Sequence, residues 1–424
     1  MNDKAFQLRE FLTGTIIVAA LGYFVDIYDL ILFSIVRKPS LMGIGVAEVD
    51  LQSTGLWLIN IQMIGMLIGG IIWGIFGDKK GRLSVLFGSI LLYSLANIAN
   101  GFVHTVSQYA ILRFIAGVGL AGELGAGITL VAESLPKEKR GFGAMIVATV
   151  GLLGAVFAGL MGMIFQDNPD GWRICYFIGG GLGLLLLFMR IGLFESGMYQ
   201  QIEADEEVRR GDFLMVFTSK ERFVKFVKCV VIGFPIWYSI GILVTLSPEF
   251  TKAIGVVGKV QVPMAIMLYY LGASIGDVLC GFGSHFLRSR KKVILIYILA
   301  IAVVLVPFFL AKGVPVQWYY VIVFFLGLGG GYWAILMTIA TESFGTNLRA
   351  TVTTTVPNFV RGSLTLITLL FTGLQSYFKP SLGASSALLW AGVLTGVVCL
   401  GIPLLSIRSM EETYGKDLDY IEKH

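Results

Sequence analysis

Apolar runs of 19 to 26 residues recur along the chain, separated by short polar stretches. A helix needs about 20 apolar residues to cross a bilayer, so each run is long enough to span. The pattern predicts twelve spans, at 13–36, 54–76, 83–104, 107–132, 141–165, 171–194, 225–248, 262–286, 293–311, 316–340, 352–377 and 384–406. An even count puts both chain ends on one side.

Composition agrees with this pattern. The chain is 56% hydrophobic and only 14% charged, with a mean hydropathy of +0.81, whereas a soluble domain carries about 25% charged residues. This is a multi-spanning membrane protein, all-α in class. The net charge of +5 does not point to nucleic acid, because Lys and Arg sit in short loops. Of 32, 23 fall on the side of the chain ends and 7 on the other, with Arg113 and Arg361 inside spans. Such a bias places the ends in the cytoplasm and suits a bacterial inner membrane. The opening segment MNDKAFQLRE is polar and the first apolar run is long enough to span, so no cleavable signal is expected. Cys175, Cys229, Cys280 and Cys399 all fall in apolar runs and read as packing residues.

The longest polar piece, 195–224, is charged and central. It reads as a cytoplasmic linker between a six-helix half at 1–194 and a second at 225–424 that carries the tail. The halves echo one another. AESLPKEKRG at 132–141 answers TESFGTNLRA at 341–350, and Glu133 to Glu342 and Arg140 to Arg349 are both 209 residues. A tandem repeat predicts two halves about an axis along the membrane normal, with a site between them.

Between the second and third spans lies GIFGDKKGR, residues 74–82. Gly74 and Gly81 allow tight packing and a short turn, and Asp78 stands among Lys79, Lys80 and Arg82. This spacing, G-x-x-x-D-K-x-G-R, resembles the loop signature of the major facilitator superfamily. The resemblance implies twelve helices in two halves, with Asp78 latching the outward-open state. The second-half relic, GFGSHFLRSRKK at 281–292, has His285 where Asp is expected. The fourth span, with Arg113, Gly117, Gly119, Gly122 and Glu123, and the D-x-x-D of the first span resemble the metabolite:proton and phosphate:proton symporter branches. Sugar porters are close relatives. The fifth span lacks the Gly-Pro of drug:proton antiporters.

Asp26 and Asp29 sit in the first span at an insertion cost of about 2.5–3.5 kcal/mol each. Asp29 and Arg113 lie at similar depth and can pair if their helices are neighbours. The pair is either a proton-coupling device or a static clamp. Asp26 and Glu123 contact proton or substrate, or Glu123 packs against helix ends. At the 209 offset these four charges answer to Pro235, Tyr238, Ile322 and Tyr332, all neutral. The expectation is a division of labour, with proton chemistry in the first half and a substrate wall in the second. Trp237, Tyr238, Tyr332 and Trp333 would build that wall, or else face lipid or pack in the core. Arg361 offers a planar five-donor fork for an anion, with Asn358 one turn away. Asp277 is its alternative partner.

No metal-ligand spacing, nucleophile–base set or cofactor motif is visible, and GLGGGYW at 327–333 lies in an apolar span as a packing stripe. The expected function is therefore not enzymatic. The chain reads as a monomeric, alternating-access carrier that imports a small organic anion with protons. The alternatives are a sugar, polyol or phosphate carrier, proton-linked or facilitative, and a transporter-like receptor without net flux.

Overall fold

The structure, a computed structural model, describes residues 14–80, 82–125, 127, 140–195 and 218–415. The helices are α1 (Gly14–Gly43), α2 (Leu51–Lys80), α3 (Arg82–Asn100), α4 (Val106–Leu120), α5 (Arg140–Ile164) and α6 (Gly171–Glu195). They continue as α7 (Lys220–Val231), α8 (Phe234–Trp237), a π-helical segment Tyr238–Val244 and α9 (Ser247–Ile254). The last are α10 (Val262–Phe286), α11 (Arg290–Phe309), α12 (Val316–Gly330), α13 (Trp333–Glu342) and α14 (Thr346–Arg408). Among the described residues 9 helical stretches are long and apolar enough to cross a membrane. One of them, in α14, folds back at Gly383, where φ is +75°, and so supplies the last two spans. With the shorter α3 and α4, this gives the twelve-span bundle of an integral, multi-pass membrane protein.

Boundaries differ from the sequence expectation where a polar side chain is buried rather than solvated. The first span continues past 36 to Gly43 because Arg37 is only 1% exposed and held by protein oxygens. The seventh span is interrupted at Ile232–Gly233, ahead of Pro235, which cannot donate to a helical carbonyl. The fourth and tenth spans break at Ala121–Gly122 and Gly331–Tyr332, within one residue of the 209 offset. Each break exposes backbone groups that need partners in a bilayer. Trp73 Nε1 donates to Val118 O at 2.6 Å, and Asn358 Nδ2 donates to Ala121 O at 2.8 Å. At the other break, Ala334 N–H donates to Asp277 Oδ1 at 2.9 Å.

Helices in lipid approach closely only where side chains are small. Gly65 and Gly69 bring α2 against the Phe114 and Val118 carbonyls of α4; Gly272 and Gly276 bring α10 against the Phe324 and Leu328 carbonyls of α12. Gly327, from the stripe at 327–333, closes the second crossing from the other side. The second span thus packs on the fourth as the eighth packs on the tenth. In α5, Gly151 receives the Tyr23 ring and Gly154 the Phe24 carbonyl of α1. The first six spans meet the last six along two seams. Gly159 and Gly162 of α5 pack on Met267 and Pro263 of α10. Leu67 of α2 packs on Gly362 of α14, and Gln52 Nε2 donates to Gln375 Oε1 at 2.9 Å. The four cysteines are buried and unpaired.

A methyl group at Gly154 would collide with backbone, which cannot move aside, whereas one at Gly181 meets nothing within 4 Å. Gly154→Ala should cost about 1–3 kcal/mol by overpacking and lower the melting temperature in detergent. Gly181→Ala should not. Equal melting temperatures would refute the close α1–α5 crossing.

Candidate functional site

Helix periodicity sorts the residues of α1 into faces. Tyr23, Ile27 and Leu30, spaced i, i+4, i+7, share one face. Gly22, Asp26 and Asp29 share the next. The first face lines a cavity between the two sets of six spans, together with Leu152 of α5. The opposite wall is Ile236 and Trp237 of α8, Tyr269, Tyr270 and Ala273 of α10, Gly330, Trp333 and Arg361. At about 30 Å³ the cavity holds a water or two in this arrangement.

Arg361 closes the cavity against Asp26. Its Nη2 donates to Asp26 Oδ2 at 3.0 Å, and both side chains are buried, 1% and 0% exposed. The guanidinium lies over the rings of Tyr23 and Trp333, 5.9 and 5.8 Å from their centroids, a favourable cation–π position. One oxygen and one nitrogen of the pair, Asp26 Oδ1 and Arg361 Nη1, have no partner in the protein. The indole N–H groups of Trp237 and Trp333 are likewise buried without an acceptor. The cavity thus joins an ion pair that is half satisfied, several spare donors and an aromatic wall.

Asp29 points away from the cavity, into the interior between α1, α3, α4 and α6. Neither of its oxygens has a hydrogen-bond partner. Arg113 acts on it electrostatically without closing an ion pair; its Nη2 donates instead to Gln62 Oε1, and its guanidinium lies over Phe33 at 5.3 Å. Equal depth did not make Asp29 and Arg113 a direct pair, because the carboxylate faces Gly179 of α6. Glu123 is bound by Arg190 through two hydrogen bonds, one of 3.1 Å. Gly22 leaves room for this pair, since a methyl there would collide with it.

Other candidates from the sequence stand elsewhere. Tyr238 donates to Gly392 O and Tyr332 to Ile232 O, so both hydroxyls hold helices together. Asp277 caps α13 rather than meeting Arg361. Asn358 faces Gly70 at the α2–α14 seam. Glu342 pairs with Arg290 at 3.2 Å. A methyl at Gly74 would meet nothing within 4 Å, so no close contact requires glycine there. The side chains of Asp78, Lys79, Arg82, Arg140 and Arg349, and residues Gly81 and Glu133 entirely, lie outside the described residues.

Sequence reasoning missed Tyr23, Tyr269 and Tyr270 in the cavity, because tyrosine in an apolar run carries no periodic signature of its own. It counted Arg190 with the loops, although the run LLLLFMRIGLF surrounds it. It also missed a clamp at the end of the bundle away from the chain termini. There Arg37 Nη2 donates to Glu249 Oε1 at 2.8 Å and to Thr245 O at 3.3 Å, and Lys38 lies 3.2 Å from the same carboxylate. Both basic residues belong to the first span and Glu249 to the segment just beyond the seventh, so the clamp ties the two sets together.

The Major Facilitator Superfamily model matches residues 11–367, and the chain belongs to that superfamily. The chain is 33% identical over 210 residues to the benzoate transport protein of Acinetobacter baylyi, which is 48% of this chain and 44% of that one. It is 36% identical over 124 residues to a niacin transporter of the same organism, 29% of this chain and 28% of the relative. These matches span less than half of either relative's length. A gentisate transporter of Corynebacterium glutamicum is 25% identical over 342 residues, 77% of this chain and 73% of that one. Among solved structures, the proton:xylose symporter XylE bound to 6-bromo-6-deoxy-D-glucose superposes with a TM-score of 0.71 at 16% identity, covering 97% of this chain and 98% of the other. At that identity the likeness shows the fold. Family and relatives agree with the expectation of a carrier rather than an enzyme.

Burial pushes the Glu249 carboxyl up, but the charges of Arg37 and Lys38 outweigh it and hold it below the usual carboxylate value. A lowered value means the clamp contributes above the ordinary glutamate range, near 4.3, and is lost only as pH falls through the lowered value. Spin-label distances across this end should therefore stay constant from pH 8 to pH 5 and lengthen below pH 4. Glu249→Gln should lengthen them throughout. Lengthening between pH 7 and 6 in the wild type would contradict the assignment.

Proposed function

We propose that this protein is a proton-coupled symporter that imports a small organic anion, a monocarboxylate with an aromatic ring, by alternating access. The observation that carries this reading is the Asp26–Arg361 pair across the cavity. A guanidinium buried at mid-bundle needs an anion, and removing the partner of a buried pair costs about 3–5 kcal/mol. If the two halves part, Arg361 must exchange Asp26 for another carboxylate. A substrate carboxylate matches the fork, and the rings of Tyr23, Trp237 and Trp333 offer faces against which a flat ring can stack. Freed from Arg361, Asp26 becomes costly as an anion and favours taking a proton. Substrate and proton thus load together. The names of the benzoate, niacin and gentisate relatives support the same class of substrate.

Residues 1–194 and 225–424 act as the two moving halves, with 195–224 as their link. The cavity is completed by one chain, which suits a monomer. Basic residues concentrated on the side of the chain ends support cytoplasmic termini in a bacterial inner membrane. In this arrangement the Arg37–Glu249 clamp lies on the outer side, where it must release for loading. Asp29, unpaired within the first half, is the second proton site.

Two experiments test this reading. Arg361→Lys keeps the charge but loses the bidentate fork, and should weaken benzoate binding by about 1–3 kcal/mol, roughly ten- to hundredfold. Arg361→Gln should weaken it at least as much. Calorimetry on the three proteins, with melting temperature as a folding control, reads this; wild-type affinity in both variants would remove Arg361 from the site. Asp29→Asn should abolish uphill uptake of labelled benzoate driven by a pH gradient in proteoliposomes, while exchange of labelled for unlabelled benzoate survives. Uphill uptake at the wild-type level would sink the role given to Asp29.

A further inference from the structure

One face of α3 carries an unusual load. Tyr93, Asn97 and Asn100 are spaced i, i+4, i+7, with Ser94 beside them, and all four are 0% exposed. None of their side-chain polar atoms closes a hydrogen bond of good geometry, neither the Tyr93 and Ser94 hydroxyls nor the amides of Asn97 and Asn100, although the Asn97 amide lies beside the Asp29 carboxylate. Near Asn97 lies Asp29, whose Oδ1 and Oδ2 are unpaired, and within electrostatic reach of Asp29 lies Arg113, whose Nε and Nη1 are unpaired as is Nε2 of its partner Gln62. So many orphaned groups in one place are costly unless water satisfies them. A buried water typically makes about three hydrogen bonds to groups of this kind.

On the α6 side the packing is close, and glycines let these polar atoms approach the helix backbone. Gly179 and Gly183 stand where a methyl would collide with the Asp29 carboxylate and the Ser94 hydroxyl. The sequence of groups is ordered along the helix axis. Asn100 ends α3 at the end of the bundle away from the chain termini. Asn97 faces Asp29 one turn deeper, and Tyr93 lies about 10 Å below Asn100 at 1.5 Å per residue. The Tyr93 hydroxyl is within electrostatic reach of Glu123 and Arg190 on one side and Asp29 and Asp26 on the other. None of the α3 residues lines the substrate cavity.

We propose that the Tyr93–Ser94–Asn97–Asn100 face, with Arg113 and Gln62, lines an internal file of water that enters at Asn100, carries protons to Asp29 at the level of Asn97 and continues past it to Tyr93, along a route separate from the substrate cavity. A hydronium at the outer face passes a proton to the first water, O–H bonds shift along the file, and the water beside Asp29 protonates one of its oxygens. One O–H bond is lost at the face and one forms on Asp29. The charged and titratable groups facing Asp29 are Arg113 of α4, Tyr93 of α3, Tyr176 of α6, and Asp26 and Tyr28 of its own helix. The asparagines hold water and do not themselves titrate.

The proton-delivery part rests on Asp29 being a coupling site; the water file does not. Two measurements on the purified full chain separate them. In radiolytic hydroxyl labelling, buried Tyr93 should be modified as readily as exposed Tyr377, while buried Tyr238, bonded to Gly392 O, is not. Asn97→Leu should suppress the Tyr93 label, and Asn97→Ser should keep it. In pH-jump infrared spectroscopy, the carboxylic band lost in Asp29→Asn should rise at least tenfold more slowly in Asn97→Leu and at the wild-type rate in Asn97→Ser. An unlabelled Tyr93 in the wild type overturns the file. An unslowed band in a folded Asn97→Leu overturns proton delivery through it. A labelled Tyr93 with no Asp29 band overturns the coupling role of Asp29 and delivery to it, and leaves the water file supported.

Discussion

A charge buried where water is excluded must have a partner, and this bundle is arranged around that requirement. Arg361 is 1% exposed at mid-bundle, and Asp26 is the carboxylate that meets it. The pair lies across the boundary between the first six spans and the last six. Whatever parts those sets must supply Arg361 with another anion and Asp26 with a proton or a cation. The proposed coupling of substrate to proton rests on this same constraint. Glu123–Arg190, by contrast, lies within the first six spans, so its charges are matched without reaching across that boundary.

Helix α1 makes this possible by dividing its faces. Tyr23, Ile27 and Leu30 point to the cavity, while Gly22 and Asp29 point into the first half against Glu123–Arg190 and Gly179. Asp26 stands at the edge between the two. It reaches Arg361 on one side and senses Glu123 on the other. The D-x-x-D spacing places the two carboxylates nearly one turn apart, close enough to interact yet facing different surroundings. Gly154 of α5 holds this geometry by letting the α1 backbone approach, and Gly179 of α6 makes room for the Asp29 and Tyr28 side chains.

Much of the architecture was legible beforehand because a bilayer imposes a simple rule: apolar runs of sufficient length become helices. The twelve spans, the repeat offset and the loop signature all follow from that rule and from residue spacing. The broken fourth and tenth spans were not foreseen. Ala121–Gly122 and Gly331–Tyr332 break because distant groups, Asn358, Trp73 and Asp277, accept or donate at the breaks. Two of these polar residues, Asn358 and Asp277, had looked like substrate contacts. A polar side chain in an apolar run signals that some partner exists, and it does not say whether the partner is a ligand or an interrupted backbone.

Sequence by itself determined the family, the membrane class and the inventory of buried charges, because these depend on composition and on spacing along one chain. Only the tertiary structure decided how the charges are matched. Asp26 binds Arg361 rather than standing alone, Glu123 binds Arg190, Asp277 caps a helix, and Asp29 keeps no direct partner. Depth within a span can be counted from residue numbers. Which way a side chain faces, and which helix lies there, depends on glycine contacts between elements far apart in the chain. Pairing energy at the site falls off over a few ångströms, so such a turn of the helix separates an ion pair across the bundle from a structural cap.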